Sequence, residues 1–250
     1  MAGHSQFKNI MYRKGAQDAK RSRLFSKLVR EVMVAARSNA DPATNPRLRA
    51  AITAAREANM PKDNLERAIR KGSGEEGGVV YDEVRYEGYG PGGIAIIVEG
   101  STDNRNRTAS DVRTIFNKNG GSLGEGNSVA FMFKRAGQIT YPARISFDQL
   151  FELALELGAD DVQAEEEDEE GMAMLSAFCA PDDLATLRDG LEAKFGTPAS
   201  AKLVWLPLTP TPLTSNDVTA DATASALKLL DALDEHDDVQ DVYTNAVFAE

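Results

Sequence analysis

The chain has 250 residues, 42% of them hydrophobic, and a formal net charge of −11 at pH 7. That length allows two or three domains with cores of their own, and the apolar content excludes a disordered body. One cysteine, Cys179, excludes an internal disulfide framework, and no apolar run reaches the roughly 18 residues that a membrane span requires, so the chain reads as cytoplasmic.

The charge is unevenly placed. Residues 1–72 hold 16 Lys and Arg against 6 Asp and Glu, a net of +10, whereas residues 73–250 hold 12 basic and 33 acidic residues, a net of −21. A basic module mounted on an acidic body is the footprint of a polyanionic partner, because the body repels nucleic acid everywhere but at one end.

The first sixteen residues have basic side chains but no following apolar stretch, so neither a secretory signal nor a transit peptide is expected there. They read as an extended arm. The spacing then predicts a helix over 17–38, with Leu24, Leu28, Val32 and Ala35 on one face and Phe25, Val29 and Ala36 widening it. Lys20, Arg23, Lys27 and Arg30 step by three, four and three, which aligns them in one stripe beside that face. A second helix opens at Asn45-Pro46, an N-cap followed by proline at the first helical position, and uses Leu48, Ala51, Ile52 and Ala55. A third opens at Pro61, uses Leu65, Ala68 and Ile69, and ends at Gly72.

Residues 73–78 (SGEEGG) form a linker, after which strands and helices alternate. Strands are expected over 81–87, 93–99 and 129–134, with a helix over 106–119. Next come a strand over 137–141, a helix over 147–157, a hairpin over 162–165 and 172–179, a helix over 182–195 and a strand over 201–206. That βαββαβ order is the ferredoxin-like signature. A Pro/Thr segment, 207–216, leads to a last helix over 222–235 and a strand over 239–244. The expected fold is therefore α+β: an N-terminal three-helix domain plus two ferredoxin-like α/β sandwiches, one inserted in the other. The domains are residues 1–72, a discontinuous domain of 79–134 plus 207–250, and an inserted domain of 135–206.

The strongest electrostatic cluster is Lys8, Arg13, Lys14, Lys20, Arg21, Arg23, Lys27 and Arg30, interrupted only by Asp18 before Glu31. A solvated face mixes signs to make i,i+4 pairs, and this stripe barely does, so it points to phosphate contact. Phe7 and Tyr12 in the arm either stack on bases or pack on the bundle. A second candidate is Asn104-Arg105-Asn106-Arg107, where a strand hands over to a helix; such a loop holds phosphates or base edges. Its bland reading is a capped turn whose arginines pair with acids such as Asp103 and Glu99.

Other motifs carry less. Gly88, Gly90 and Gly93 match the dinucleotide fingerprint, but a strand follows where a helix is needed, so the glycines serve a turn. The EEEDEE run at 165–170 lacks the spacing of a calcium loop and reads as solvated. Pro207, Pro210 and Pro212 fit a crossing linker better than a polyproline ligand. The histidines are His4 and His236, at opposite ends of the chain, so no histidine-based triad or zinc motif is available. No catalytic residue, metal, cofactor or small-molecule substrate is expected. The helical module has no clear helix-turn-helix, since the 40–46 connection is long, and no RNP1 motif, so duplex DNA and ribosomal RNA stay open as targets.

Several segments together resemble the YebC family, which includes the mitochondrial translational activators of cytochrome oxidase. They are AGHSQFKNIMYRKGAQDAKRSRLFSKLVRE (2–31), NPRLRAAI (45–52), NMPKDNLERAI (59–69), YEGYGPGGIAIIVE (86–99), TDNRNRT (102–108), GGSLGEGNSVAFMF (120–133) and DDVQDVYTN (237–245). The departures are Phe7, where an arm Trp is common, and the Pro/Thr-rich stretch from Trp205 to Asp217. The resemblance implies three domains, one α+β domain inserted in another, and a regulator of gene expression without known catalysis. Bacterial relatives are described as DNA-binding transcriptional regulators; organellar relatives act in translation, and bacterial ones are also proposed to act on ribosomes.

Overall fold

The structure is a computed structural model that describes residues 17–75, 77, 80–165, 173–213 and 220–248, with the side chains of 17–21, 220 and 221 outside that description. It is a mixed α+β protein with an N-terminal helical region followed by antiparallel sheets. The backbone gathers into two compact units, Gln17–Val79 with Arg135–Val204, and Val80–Lys134 with the stretch from Trp205 onward.

In the first of these units, helix α1 spans Gln17–Ser38, α2 Pro46–Glu57 and α3 Lys62–Ser73. Both α2 and α3 pack on α1. The buried part of α1 is its C-terminal half, Val32, Met33, Ala35 and Ala36, while Leu24 is 45% exposed, so the expected apolar face is covered along only part of its length. Asn45 joins α1 to α2. Its side-chain oxygen accepts the Leu48 N–H at 3.0 Å, and its amide donates to the carbonyls of Ala35 and Asn39 at 2.8 and 2.6 Å. These bonds satisfy one orphan donor of α2 and two late carbonyls near the end of α1.

Gly72 does not end α3. The helix continues to Ser73, and Gly74, at φ 85°, is the left-handed cap. Gly72 is instead a contact residue: a Cβ there would collide with the Met33 backbone and Ala36. The small residue serves close helix approach rather than termination.

The same unit holds β4 (Phe133–Pro142) from Arg135 onward, α5 (Phe147–Glu156), β5 (Asp161–Ala164), β6 (Met174–Cys179), α6 (Leu184–Phe195) and β7 (Ser200–Pro207) up to Val204. The sheet order β5-β6-β4-β7 is that of the ferredoxin-like βαββαβ unit. Ile139 pairs with Ala177 between β4 and β6, and Val162 with Ala177 between β5 and β6. Ile139, Tyr141, Leu150, Leu175, Leu187 and Leu191 form its core. Arg49 on α2 makes a two-pronged bond to Glu192 on α6, at 3.1 and 3.2 Å.

In the other unit, β1 (Asp82–Tyr89) and β2 (Ala95–Thr102) form a hairpin, followed by α4 (Arg105–Lys118) and β3 (Ser122–Leu123). Between β1 and β2 the turn Pro91–Gly93 holds Gly92 and Gly93 at φ 74° and 76°, so Gly90 and Gly93 serve a strand-to-strand turn, whereas Gly88 lies within β1, paired with Ile96. The chain returns through β8 (Thr211–Leu213), α7 (Ala220–Asp234), β9 (Val239–Thr244) and β10 (Ala246–Phe248). The sheet order is β3-β1-β2-β9, and β9 pairs antiparallel with β2. As in the other sheet, the strands flanking a crossover helix are separated by a third strand: β2 and β3 lie on either side of β1. Here the chain enters by the hairpin instead. The core gathers Ile94, Ile96, Val98, Phe116, Leu229 and Leu233.

Two expected elements differ. The strand expected over 129–134 begins only at Phe133, the start of β4; Ala130–Met132 form a 3-10 turn. The cause is Glu87, whose buried carboxylate accepts the N–H groups of Val129 and Ala130 at 3.0 and 2.9 Å and so withdraws them from any ladder. The Pro/Thr segment is more than a linker, because β8 pairs in parallel with β10. Buried Asn245 fastens it. Its amide donates to the Thr209 carbonyl and Thr211 hydroxyl at 3.3 and 3.0 Å, and its oxygen accepts the Ala95 N–H at 2.8 Å.

Candidate nucleic-acid interface

Lys20, Arg21, Arg23, Lys27 and Arg30 all lie on α1. Arg23, Lys27 and Arg30 are partly exposed; the side chains of Lys20 and Arg21 lie outside the described residues, as do Lys8, Arg13 and Lys14, Phe7 and Tyr12, His4, and residues 166–170 of the acidic run. The helical spacing keeps Lys20, Arg23, Lys27 and Arg30 on one side. The acid that follows the stripe, Glu31, is engaged from α2: Arg47 Nε and Nη2 donate to its two oxygens at 2.8 and 3.3 Å. Its charge is thereby matched by a residue of a different helix.

The helical region exposes further cations that the sequence reading passed over. Arg56 on α2 and Arg67, Arg70 and Lys71 on α3 are exposed. Arg67, Arg70 and Lys71 stand at i, i+3 and i+4, a spacing that was available as a signal, and the last two sit where cations suit a helix C-terminus. Arg49, by contrast, is committed to Glu192 and to the carbonyls of Pro42 and Ala43.

The Asn104–Arg107 segment divides into two roles. Asn104 is the N-cap of α4, its side chain accepting the Arg107 N–H at 3.1 Å. Arg107 is fixed by carboxylates: its Nη2 lies 2.8 Å from Asp103 and 2.9 Å from Asp238. Asp238 has a 5% exposed side chain and is the hub of the cluster, accepting from the hydroxyls of Thr108 at 2.6 Å and Thr102 at 3.2 Å. The bonds to Asp238 and Asp103 push the Arg107 guanidinium further up from its ordinary range. The predicted acidic partner Asp103 is present, and Glu99 accepts the Trp205 indole N–H at 2.9 Å. Arg105 and Asn106, in the first turn, are exposed, and the Arg105 carbonyl accepts the Tyr86 hydroxyl at 3.4 Å.

No group of three His, Cys, Asp or Glu among the described residues is placed to hold a metal ion. His236 is engaged locally. Its Nδ1 accepts the Asp238 N–H at 3.1 Å and its Nε2 stands 3.5 Å from Asp111. Cys179 is buried, and burial pushes its thiol up, away from the reactive thiolate. No helix among the described residues is long and apolar enough to cross a membrane.

Residues 5–75 match the model of the TACO1/YebC protein N-terminal domain, and residues 81–246 match that of the TACO1/YebC second and third domain. The crystal structure of a conserved hypothetical protein, Aq1575 from Aquifex aeolicus, is similar at a TM-score of 0.81 with 43% identity, covering 95% of each chain.

Proposed function

The chain belongs to the TACO1/YebC family, and from that premise we propose that it is a non-enzymatic regulator of gene expression that binds nucleic acid through its basic N-terminal region. The family is regulatory rather than enzymatic in description. The observation that carries the reading is the α1 stripe, where Arg23, Lys27 and Arg30 stand at helical spacing on one side and are partly exposed. Clustered guanidinium and ammonium groups neutralise phosphates and release counterions, which supplies affinity without sequence preference. Lys8, Arg13 and Lys14, which lie outside the described residues, add to the basic charge of the N-terminal sequence, and Asn104, Arg105, Asn106 and Arg107 form the second contact, in which Arg105 and Asn106 reach the ligand while Asn104 and Arg107 hold the turn.

We put duplex DNA first, as in a transcriptional regulator, with ribosomal RNA and the ribosome as the alternative target, as in a translation factor. Docking of the basic end on an acidic protein is the remaining rival. The three-domain division, 1–72, 79–134 with 207–250, and 135–206, belongs to the same proposal, with the first domain as the binding module and the protein acting in the cytoplasm. Crosslinking in living cells, with bound DNA and RNA sequenced in parallel, tests it. Defined promoter DNA without ribosomal RNA supports the transcriptional reading; a discrete ribosomal RNA site replaces it with the translational one; recovery of neither sinks both.

A further inference from the structure

Helix α5 carries a surface that its own fold leaves open. Its inward residues, Leu150 and Ala154, are fully buried in the ferredoxin-like core. On the outside, Phe147, Phe151 and Leu155 stand at i, i+4 and i+8 and are 38, 37 and 42% exposed. Single exposed apolar residues need no explanation, but three in register make a continuous ridge. It spans eight residues, about 12 Å at 1.5 Å per residue. The rings of Phe147 and Phe151 stack, with centroids 5.8 Å apart and planes at 24°, so the two aromatic anchors support each other along the ridge.

A second ridge runs beside it. Asp148, Glu152 and Glu156 follow the three apolar residues one position on, and all three are exposed. The helix, FDQLFELALE, contains no basic residue. An apolar stripe edged by carboxylates repels phosphate backbones and anionic headgroups and complements a helix with the opposite edge.

We propose that this face of α5 docks a basic amphipathic helix from a protein partner, with Phe147, Phe151 and Leu155 as anchors and Asp148, Glu152 and Glu156 setting the partner's charge and register. The interaction is of the kind in which i, i+4 and i+8 anchors of one helix seat against another. It is independent of nucleic-acid binding, which uses a different helix and the opposite charge. The protein thereby gains an adaptor role: a basic end for nucleic acid and an acidic-apolar ridge for a cationic protein segment.

The test uses the intact, isotope-labelled chain and a synthetic 18-residue helical peptide with leucines at i, i+4 and i+8 and lysines flanking them. Two control peptides carry serines in place of the leucines or glutamates in place of the lysines. The expected result is that amide resonances of 147–156 shift with the Lys/Leu peptide alone. Affinity falls roughly tenfold or more in the triple variant Asp148→Lys, Glu152→Lys, Glu156→Lys, and similarly in Phe151→Ser. These positions are exposed, so the variants keep the fold, which their unchanged spectra elsewhere verify. Equal binding of the serine or glutamate peptide, shifts spread over the acidic body, or unchanged affinity in either variant overturns the proposal. So does sedimentation showing that a second copy of this chain already covers the ridge.

Discussion

The guanidinium of Arg107 reaches the buried carboxylate of Asp238, Nη2 to Oδ2 at 2.9 Å, across 131 residues of sequence. This bond ties the N-terminus of α4 to the turn before β9, and the hydroxyls of Thr102 and Thr108 complete the shell. An arginine at a helix N-terminus is thereby made structural, while its neighbour Arg105 is left exposed.

The two arginines therefore separate in their effects. Arg107→Ala lowers the melting temperature, because it leaves a buried carboxylate short of its cation. Arg105→Ala leaves the melting temperature in place and weakens nucleic-acid binding a few-fold. Thr108→Val, which removes the 2.6 Å bond to Asp238, costs about 1.5–3 kcal/mol. Thermal melts and binding titrations on the same preparations check all three. Equal melting temperatures for Arg107→Ala and the parent protein contradict the assignment.

Gly72→Ala destabilises the protein by about 1–3 kcal/mol in urea unfolding, although alanine is the better helix former. The added methyl meets the Met33 backbone and Ala36 across the α1–α3 seam. Gly74→Ala also destabilises, through its positive φ rather than through a clash, since nothing stands within 4 Å of that position. A stabilising Gly72→Ala would show that the seam opens without cost.

Stability falls in alkali. Burial pushes the Tyr141 phenol well above its ordinary range, and it raises Tyr86 and the Cys179 thiol as well. A folded-state pKa above the unfolded one means that the folded state holds its proton longer. The contribution is fully present below the unfolded pKa and is lost as pH rises from there through the folded value. Unfolding free energy is thus insensitive to Tyr141 near neutrality and declines above the ordinary phenol range near 10. Tyr141→Phe flattens that alkaline limb, and it costs about 0.5–1.5 kcal/mol at neutral pH through loss of the 3.0 Å bond to the Gly196 carbonyl. An alkaline limb unchanged in the variant would show that Tyr141 does not titrate with unfolding.

Local grammar was legible in the sequence and long-range partnership was not. Helix α1 occupies the span 17–38 that its periodicity predicts, and the Asn45-Pro46 signature marks the start of α2 as its capping chemistry requires. The βαββαβ order of residues 133–207 yields the sheet order that goes with it. Gly72 was misread because glycine at a helix end and glycine at a helix crossing look alike until the second helix is placed. The 129–134 segment has strand composition, yet the N–H groups of Val129 and Ala130 belong to Glu87, 42 and 43 residues earlier, and the strand starts only at Phe133. The short β8 looked like a linker because Pro212, with Pro207 and Pro210 before it, obscures a parallel pairing to β10. At the candidate site, the basic stripe on α1 was readable from its spacing, whereas nothing near Arg107 in sequence announced Asp238.

The most direct test is the affinity of the intact chain for duplex DNA and for a ribosomal RNA fragment over a series of salt concentrations. It is measured beside the variant carrying Lys20→Glu, Arg23→Glu, Lys27→Glu and Arg30→Glu. Phosphate binding through α1 predicts that log K falls linearly with log salt on at least one of the two ligands, with a slope of about −0.9 per neutralised phosphate on duplex DNA or about −0.7 on single strands. It also predicts that the quadruple variant loses that binding. Affinity that is flat with salt, or that survives the four charge reversals, contradicts the account.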